Sequence, residues 1–268
     1  MRTTKVGIIG FGKMGKIYAK ELNENKKFLL QSIITKKNIH QKPNLINLFF
    51  KKNDLIIIAT PIKTHFKFLK LAIKNKKDVI IEKPVVQNLP ELRKILKLSK
   101  NYKKKILIHH NDILNLKKIN CFKNTNSLKN IKKIIMNYGN TKNSSNIQFY
   151  IDWLPHPISI IQKFFGSLDR FEIVKYKKNI NHQKLKLLFQ LNKLKIFVNL
   201  SNYPNPRKEV FIYNHSKIIK YDGYAKKNQK TIKALLENFL KYKKKNDIKN
   251  FYDSYTTIFK IGKLIKNY

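Results

Sequence analysis

The amino-acid sequence predicts an α/β fold: an N-terminal Rossmann domain with a parallel sheet, then a C-terminal α+β domain with a mainly antiparallel sheet. Three observations carry this. Apolar runs alternate with amphipathic segments of helical period up to about residue 115. A glycine turn, Gly10-Phe11-Gly12-Lys13-Met14-Gly15, joins the first apolar run to the first helix. Beyond it, strand candidates follow one another through short turns. The domains expected are 1–115, which binds a dinucleotide, and 116–268, for substrate and oligomerisation, with tail helices able to pack back on the first domain.

The first strand is "KVGIIG" (5–10), and Met14, Ile17, Tyr18 and Leu22 recur at helical spacing after it. Strand 28–35, a weak helix near 43–50 and the buried strand "DLIIIAT" (54–60) follow. A helix over 65–74 turns Phe68, Leu69, Ala72 and Ile73 inward. Strand 78–82, a helix over 90–100 entered through Pro90, and strand 105–110 complete the alternation. Runs apolar at every position mean a parallel sheet covered on both faces. In the second half, Asn- and Lys-rich loops surround "IKKIIMNYG" (131–139), and a helix is expected at 156–165. Strands are expected at 184–191, 195–200, 209–213 and 217–221. Two tail helices close the chain, one presenting Ile232, Leu235, Leu236, Phe239 and Leu240, the other Phe251, Tyr255, Ile258, Phe259 and Ile265.

Between a strand and a helix, the G-F-G-K-M-G turn is the context a dinucleotide fingerprint requires. Gly10 permits the tight turn, Gly12 lets backbone approach a pyrophosphate, and Gly15 lets helix and strand pack closely. The helix N-terminus offers its N–H groups to the phosphates. An acidic residue usually closes the second strand to hold the ribose 2′-hydroxyl; here Thr35, Lys36 and Lys37 stand in its place. A hydroxyl and two cations suit a 2′-phosphate, so NADP(H) is expected over NAD(H).

The stretches "GIIGFGKMG" (7–15), "IIIATPIKTHFKFLKLAIKNKKDVIIEKPV" (56–85) and "DWLPHPISII" (152–161) resemble the glucose-fructose oxidoreductase and inositol dehydrogenase (Gfo/Idh/MocA) family along the whole chain. The resemblance implies a hydride transfer between nicotinamide and a secondary alcohol or ketone of a sugar, cyclitol or nucleotide sugar. It places Glu82, Lys83 and Pro84 beside nicotinamide and substrate, with Thr60, Pro61 and His65 upstream on the cofactor side. Pro84 restricts Lys83 to extended backbone and admits a cis bond, and a positioned ammonium stabilises charge as a hydroxyl proton leaves. The resemblance makes His156 the general acid/base and gives Asp152 the positioning of substrate or of His156. Pro155 and Pro157 stiffen His156, while Trp153 forms an apolar wall or anchors the core. His109, His110 and Asn111 end the last parallel strand, where His110 is a candidate substrate contact or packs plainly. Ser159, where relatives carry an acid, and the His109-His110 pair depart from the family pattern. Lys83, Asp152 and His156 are expected to converge on one redox ring.

Lys and Arg total 58 against 15 Asp and Glu, a formal charge of +43. Only four of the cations are arginine and they are spread along the chain, which argues for compositional drift over a nucleic-acid surface. The single cysteine, Cys121, supplies neither a disulfide framework nor a cysteine-based metal site. The expectation is a cytoplasmic homo-oligomer, dimer or tetramer, acting on a small polyhydroxylated substrate, with no metal, membrane or specific nucleic-acid partner. Its rivals are a catalytically degenerate regulatory protein of the same fold and a basic nucleic-acid-binding protein.

Overall fold

The computed structural model describes residues 3–41, 44–123, 128, 130–140, 149–166, 170–178, 183–214, 217–225, 231–241 and 248–267. Its chain divides into two compact units, residues 1–109 with 232–249, and residues 110–231 with 250–268.

In the first unit, strands β1 (Thr4–Ile9), β2 (Phe28–Ile34), β3 (Leu55–Ile58), β4 (Asp78–Ile81) and β5 (Ile106–Ile108) form a sheet in the order β2-β1-β3-β4-β5. Every pairing is parallel. Helices α1 (Lys13–Asn23), α2 (Lys36–Gln41), α3 (Leu45–Lys52), α4 (Ile62–Lys74) and α5 (Leu89–Ser99) connect them. Leu55, Ile56, Ile57 and Ile58 are all fully buried. Successive strand side chains point to opposite faces, so both faces of β3 are covered. Pro90 lies in the first turn of α5, which Asn88 caps by accepting the Glu91 N–H at 2.9 Å; Glu91 returns an acceptor to the Gln87 N–H. Helix α9 (Thr231–Lys241) contributes Phe239, whose ring lies 6.2 Å from that of Phe28.

The second unit begins with α6 (Asn111–Leu116) and contains α7 (Phe149–Trp153), α8 (Pro155–Phe165) and most of α10 (Ile248–Leu264). Strands β6 (Ile131–Gly139), β7 (Phe171–Lys178), β8 (Gln183–Leu191), β9 (Leu194–Ser201), β10 (Arg207–Asn214) and β11 (Ile218–Asp222) pair in the order β11-β10-β6-β9-β8-β7. All neighbours run antiparallel except β6 and β9. Leu185, Leu187 and Phe189 alternate with more exposed residues along β8, as Ile196 and Val198 do along β9, so one face carries the core.

Several elements depart from their sequence signals. Helix α4 starts three residues before the predicted 65, because Pro61 has the extended backbone of an N-cap and Ile62 is buried behind it. The helix expected near 43–50 spans Leu45–Lys52, and residue 43 lies outside the described residues. Ile17, expected on the inner face of α1, is 39% exposed. Strand β7 prints no clean alternation because it is an edge strand most of whose exposed positions carry charge. Helices α2 and α6 are six residues each, too short to print a helical period.

Candidate functional site

In the parallel sheet, Ile34, Ile9, Ile58, Ile81 and Ile108 lie in one hydrogen-bonded row across the five strands. The residues one step further on, Thr35, Gly10, Ala59, Glu82 and His109, form the carboxyl edge. The backbone N–H groups of Gly10, Ala59, Glu82 and His109 donate to Ile34, Ile9, Ile58 and Ile81 at 2.8–3.0 Å, which holds the edge level. Because β2 and β3 lie on opposite sides of β1, the chain changes direction there, and open α/β sheets bind ligands at such a point.

The glycine turn sits at that point. Gly10 has φ +97°, and a Cβ there would meet the Ala59 carbonyl oxygen at 2.5 Å, so only glycine makes the turn without strain. At Gly15 a Cβ would come 2.1 Å from the Gly10 oxygen, the close helix–strand approach expected. Gly12, the N-cap of α1, is different: a Cβ there would meet nothing within 4 Å. Phe11 is 39% exposed beside it, Lys13 is exposed and Met14 half-buried. Above β3, the Thr60 hydroxyl is buried with no hydrogen-bond partner among the described residues, and its methyl lies 2.9 Å from the Cβ position at Gly10. A bare backbone turn and an unanswered hydroxyl suit a ligand rich in phosphate and hydroxyl groups, so these residues fit a dinucleotide.

Around this turn the predicted residues take distinct places. Thr35 directly precedes α2: its N–H and hydroxyl both donate to Asn38 Oδ1, at 3.0 and 2.8 Å, and Lys36 and Lys37 are exposed after it. His65 is 1% exposed, with its ring nitrogens 2.6 Å from the Pro84 and Thr60 carbonyls. It joins the loops after β3 and β4. Burial lowers its pKa against the pull of both carbonyls, and a neutral ring donates to one of them at a time. Pro61 is exposed at the start of α4. Lys83 is half-buried and its peptide bond to Pro84 is cis.

Glu82 belongs to a buried cluster that sequence reading missed. Its Oε1 accepts from the Tyr18 hydroxyl at 2.8 Å and lies 2.7 Å from His109 Nδ1. Burial alone would raise the Glu82 pKa, but His109, Tyr18 and Lys83 outweigh it and hold the carboxyl below its ordinary value. Tyr18 is pushed up by burial and by the same carboxylate.

In the second unit, His156 on α8 is 5% exposed, and its Nδ1 lies 3.1 Å from Oδ2 of Asp112 on α6. Asp112 is 2% exposed; the Tyr221 hydroxyl donates to Oδ1 at 2.8 Å and that of Tyr138 to Oδ2 at 3.3 Å. Burial would raise the Asp112 pKa, but His156, Lys208 and Tyr221 reverse the sign and hold it well below the carboxylate range. The Tyr138 ring stacks on the imidazole, centroids 5.5 Å apart and planes 12° apart; Trp153, itself buried, lies 5.9 Å from it. Asp152 is half-buried in α7. His110 is half-buried, its Nε2 3.4 Å from the Ser159 hydroxyl, which donates to the Pro155 carbonyl. Sequence reading passed over Asp112, Tyr138 and Tyr221. Among the described residues, no group of three His, Cys, Asp or Glu side chains could hold a metal ion, and no helix is long and apolar enough to cross a membrane.

Residues 4–110 match the model of the Gfo/Idh/MocA oxidoreductase family, described as an NAD-binding Rossmann fold. These residues, less than half of the chain, are similar to the Gfo/Idh/MocA family. The uncharacterized oxidoreductase YdgJ of Escherichia coli K12 is 33% identical over 86 residues, which cover 30% of this chain and 22% of that protein's length. Among solved structures, UDP-N-acetylglucosamine 3-dehydrogenase GnnA from Acidithiobacillus ferrooxidans aligns with a TM-score of 0.75 at 15% identity, over 97% of each chain. Biliverdin reductase from Synechocystis sp. PCC 6803, solved with biliverdin and NADP+, aligns with a TM-score of 0.68 at 15% identity, over 95% of this chain and 96% of its own. The likeness in fold to these structures thus extends past the matched segment to both units.

Proposed function

We propose that this protein is a Gfo/Idh/MocA-type, NAD(P)-dependent dehydrogenase or reductase that interconverts a secondary alcohol and a ketone on a sugar, cyclitol or nucleotide sugar. The observation that carries the reading is the carboxyl edge of the parallel sheet, where Gly10 turns, Gly12 leaves its Cβ position open and Thr60 has an unanswered hydroxyl. Residues 10–15, Thr60 and the edge around Glu82 hold the dinucleotide, with its pyrophosphate on the α1 N-terminus. When bound, the nicotinamide accepts or donates the hydride. Lys83 donates a hydrogen bond to the reacting oxygen and stabilises negative charge as the proton leaves. His156 takes up the hydroxyl proton in one direction and returns it in the other. Asp152, Trp153 and His110 contact substrate. Residues 1–115 serve the cofactor, and 116–268 serve substrate and a homo-oligomeric contact.

The proposed cofactor is NADP(H), supported by Lys36 and Lys37, both exposed where an NAD-type chain carries an acid. NADP+ is also the dinucleotide held by the biliverdin reductase relative. The substrate class draws on GnnA, whose name specifies a nucleotide sugar.

Titrating the protein with NADPH and NADH, then assaying panels of sugars, cyclitols and nucleotide sugars, tests the reading. Tighter NADPH binding that Lys36→Ala with Lys37→Ala abolishes supports the cofactor assignment; equal binding, or tighter NADH, overturns it. With a substrate in hand, His156→Ala should lower kcat by about 10²–10⁴-fold with cofactor affinity nearly intact. Unchanged turnover removes His156 from the chemistry.

A further inference from the structure

We propose that Asp112 is the positioning residue of His156, fixing which ring nitrogen carries the proton. The resemblance gives the positioning of substrate or of His156 to Asp152 instead. This inference rests on the reading of His156 as the group that moves the hydroxyl proton.

Asp112 faces Nδ1 of His156 at 3.1 Å, and both side chains are nearly inaccessible to water. An ionised carboxylate only accepts hydrogen bonds, so the nitrogen facing it must carry the hydrogen. In the neutral ring this leaves the lone pair on Nε2, which becomes the atom that takes the proton. The reaction step served is proton transfer alone: a substrate O–H bond breaks, an Nε2–H bond forms, and the ring becomes an imidazolium whose charge the carboxylate balances from the other side.

What distinguishes Asp112 from a chance neighbour is that its own geometry is over-determined. Its two oxygens are held separately, Oδ1 by Tyr221 and Oδ2 by Tyr138, so the carboxylate cannot rotate away from the ring. Tyr138 also stacks on the imidazole and fixes its plane. A Cβ at Gly223 would come 3.0 Å from Oδ1, so the turn after β11 closes against the carboxylate. The groups facing this pair are Tyr138 from β6, Tyr221 from β11 and Tyr224 just beyond it, with Lys208 from β10. The phenols that touch Asp112 donate, and Lys208 adds positive charge that favours the ionised carboxylate.

The test is ring-nitrogen NMR of the full, ¹⁵N-labelled chain, which has seven histidines, with the His156 signals assigned through His156→Gln. Neutral His156 should carry its proton on Nδ1. Removing a negative charge at this distance disfavours the imidazolium, so Asp112→Asn should lower the His156 titration midpoint and mix the tautomers. Asp112→Glu should restore part of both, and Asp152→Asn should change neither. With a substrate, Asp112→Asn should reduce kcat by about 10²–10⁴-fold while leaving the dissociation constant of the cofactor unchanged. Should Asp112→Asn not fold, Tyr221→Phe keeps the charge but removes a competing donor, so the midpoint should rise. An Nε2–H tautomer in the wild type, a midpoint that ignores Asp112→Asn, or one that follows Asp152→Asn instead overturns the proposal. If the NMR results stand while His156→Ala turns over normally, the positioning role survives and the proton-transfer role of His156 does not.

Discussion

Each unit of the molecule buries one carboxylate against a histidine Nδ1 and tyrosine hydroxyls, but the two clusters are built differently. In the first, Tyr18 and His109 both meet Oε1 of Glu82, whose side chain is 12% exposed. In the second, Tyr221 holds Oδ1 of Asp112 while Tyr138 and His156 share Oδ2, and the carboxylate is 3% exposed. Donors crowded on one oxygen leave the other able to meet a further partner, as suits a residue at a ligand edge. Donors on both oxygens lock a carboxylate in place, as suits a residue that orients another. The difference separates two uses of the same chemical types: adjustable contact in the first unit, fixed geometry in the second.

The largest expected contrast is in stability. Asp112→Ala leaves two buried phenols and an imidazole without their acceptor and should cost about 3–5 kcal/mol. Glu82→Ala, with fewer donors and more solvent, should cost about half as much. Urea unfolding of both variants measures this, and equal losses would erase the contrast.

A finer cut removes single donors. Tyr221→Phe deletes a 2.8 Å bond to a charged oxygen and should cost about 2 kcal/mol, whereas after Tyr18→Phe the His109 nitrogen still serves Oε1, so the loss should be about 1 kcal/mol.

Acid sharpens the comparison further. Both carboxyls are held below their ordinary values in the fold, so the unfolded chain binds more protons in acid. Their stabilisation is complete above the unfolded carboxylate range, about pH 4 to 5, and is lost as pH falls through the folded values. The slope of unfolding free energy between about pH 5 and 3 should flatten in Asp112→Asn and flatten less in Glu82→Gln.

These clusters also mark where sequence stops being informative. The glycine turn was readable because its residues lie within one strand–turn–helix, and the parallel sheet because β3 is apolar at every position. The Asp112 cluster gathers residues 26 and 109 positions away along the chain, from strands whose pairing no local pattern encodes. Asp112 itself is one letter in "HHND". One signal was available: with only 15 acidic residues in the chain, an Asp in the first turn of the helix that follows the last parallel strand stands out. Helical spacing places Tyr18 on the core side of α1, correctly for its ring; its hydroxyl needs Glu82, 64 residues on.

The central claim, that the turn at residues 10–15 cradles a dinucleotide, is tested most directly at Gly12. Its φ of −76° is open to any residue and its Cβ position faces open space, so Gly12→Val should fold with an unfolding midpoint within a few degrees of wild type. Calorimetric titration should then show NADPH or NADH binding to the wild-type chain and at least about tenfold weaker binding to this variant. Binding of neither dinucleotide to the wild type, or equal binding to both proteins, would contradict the account.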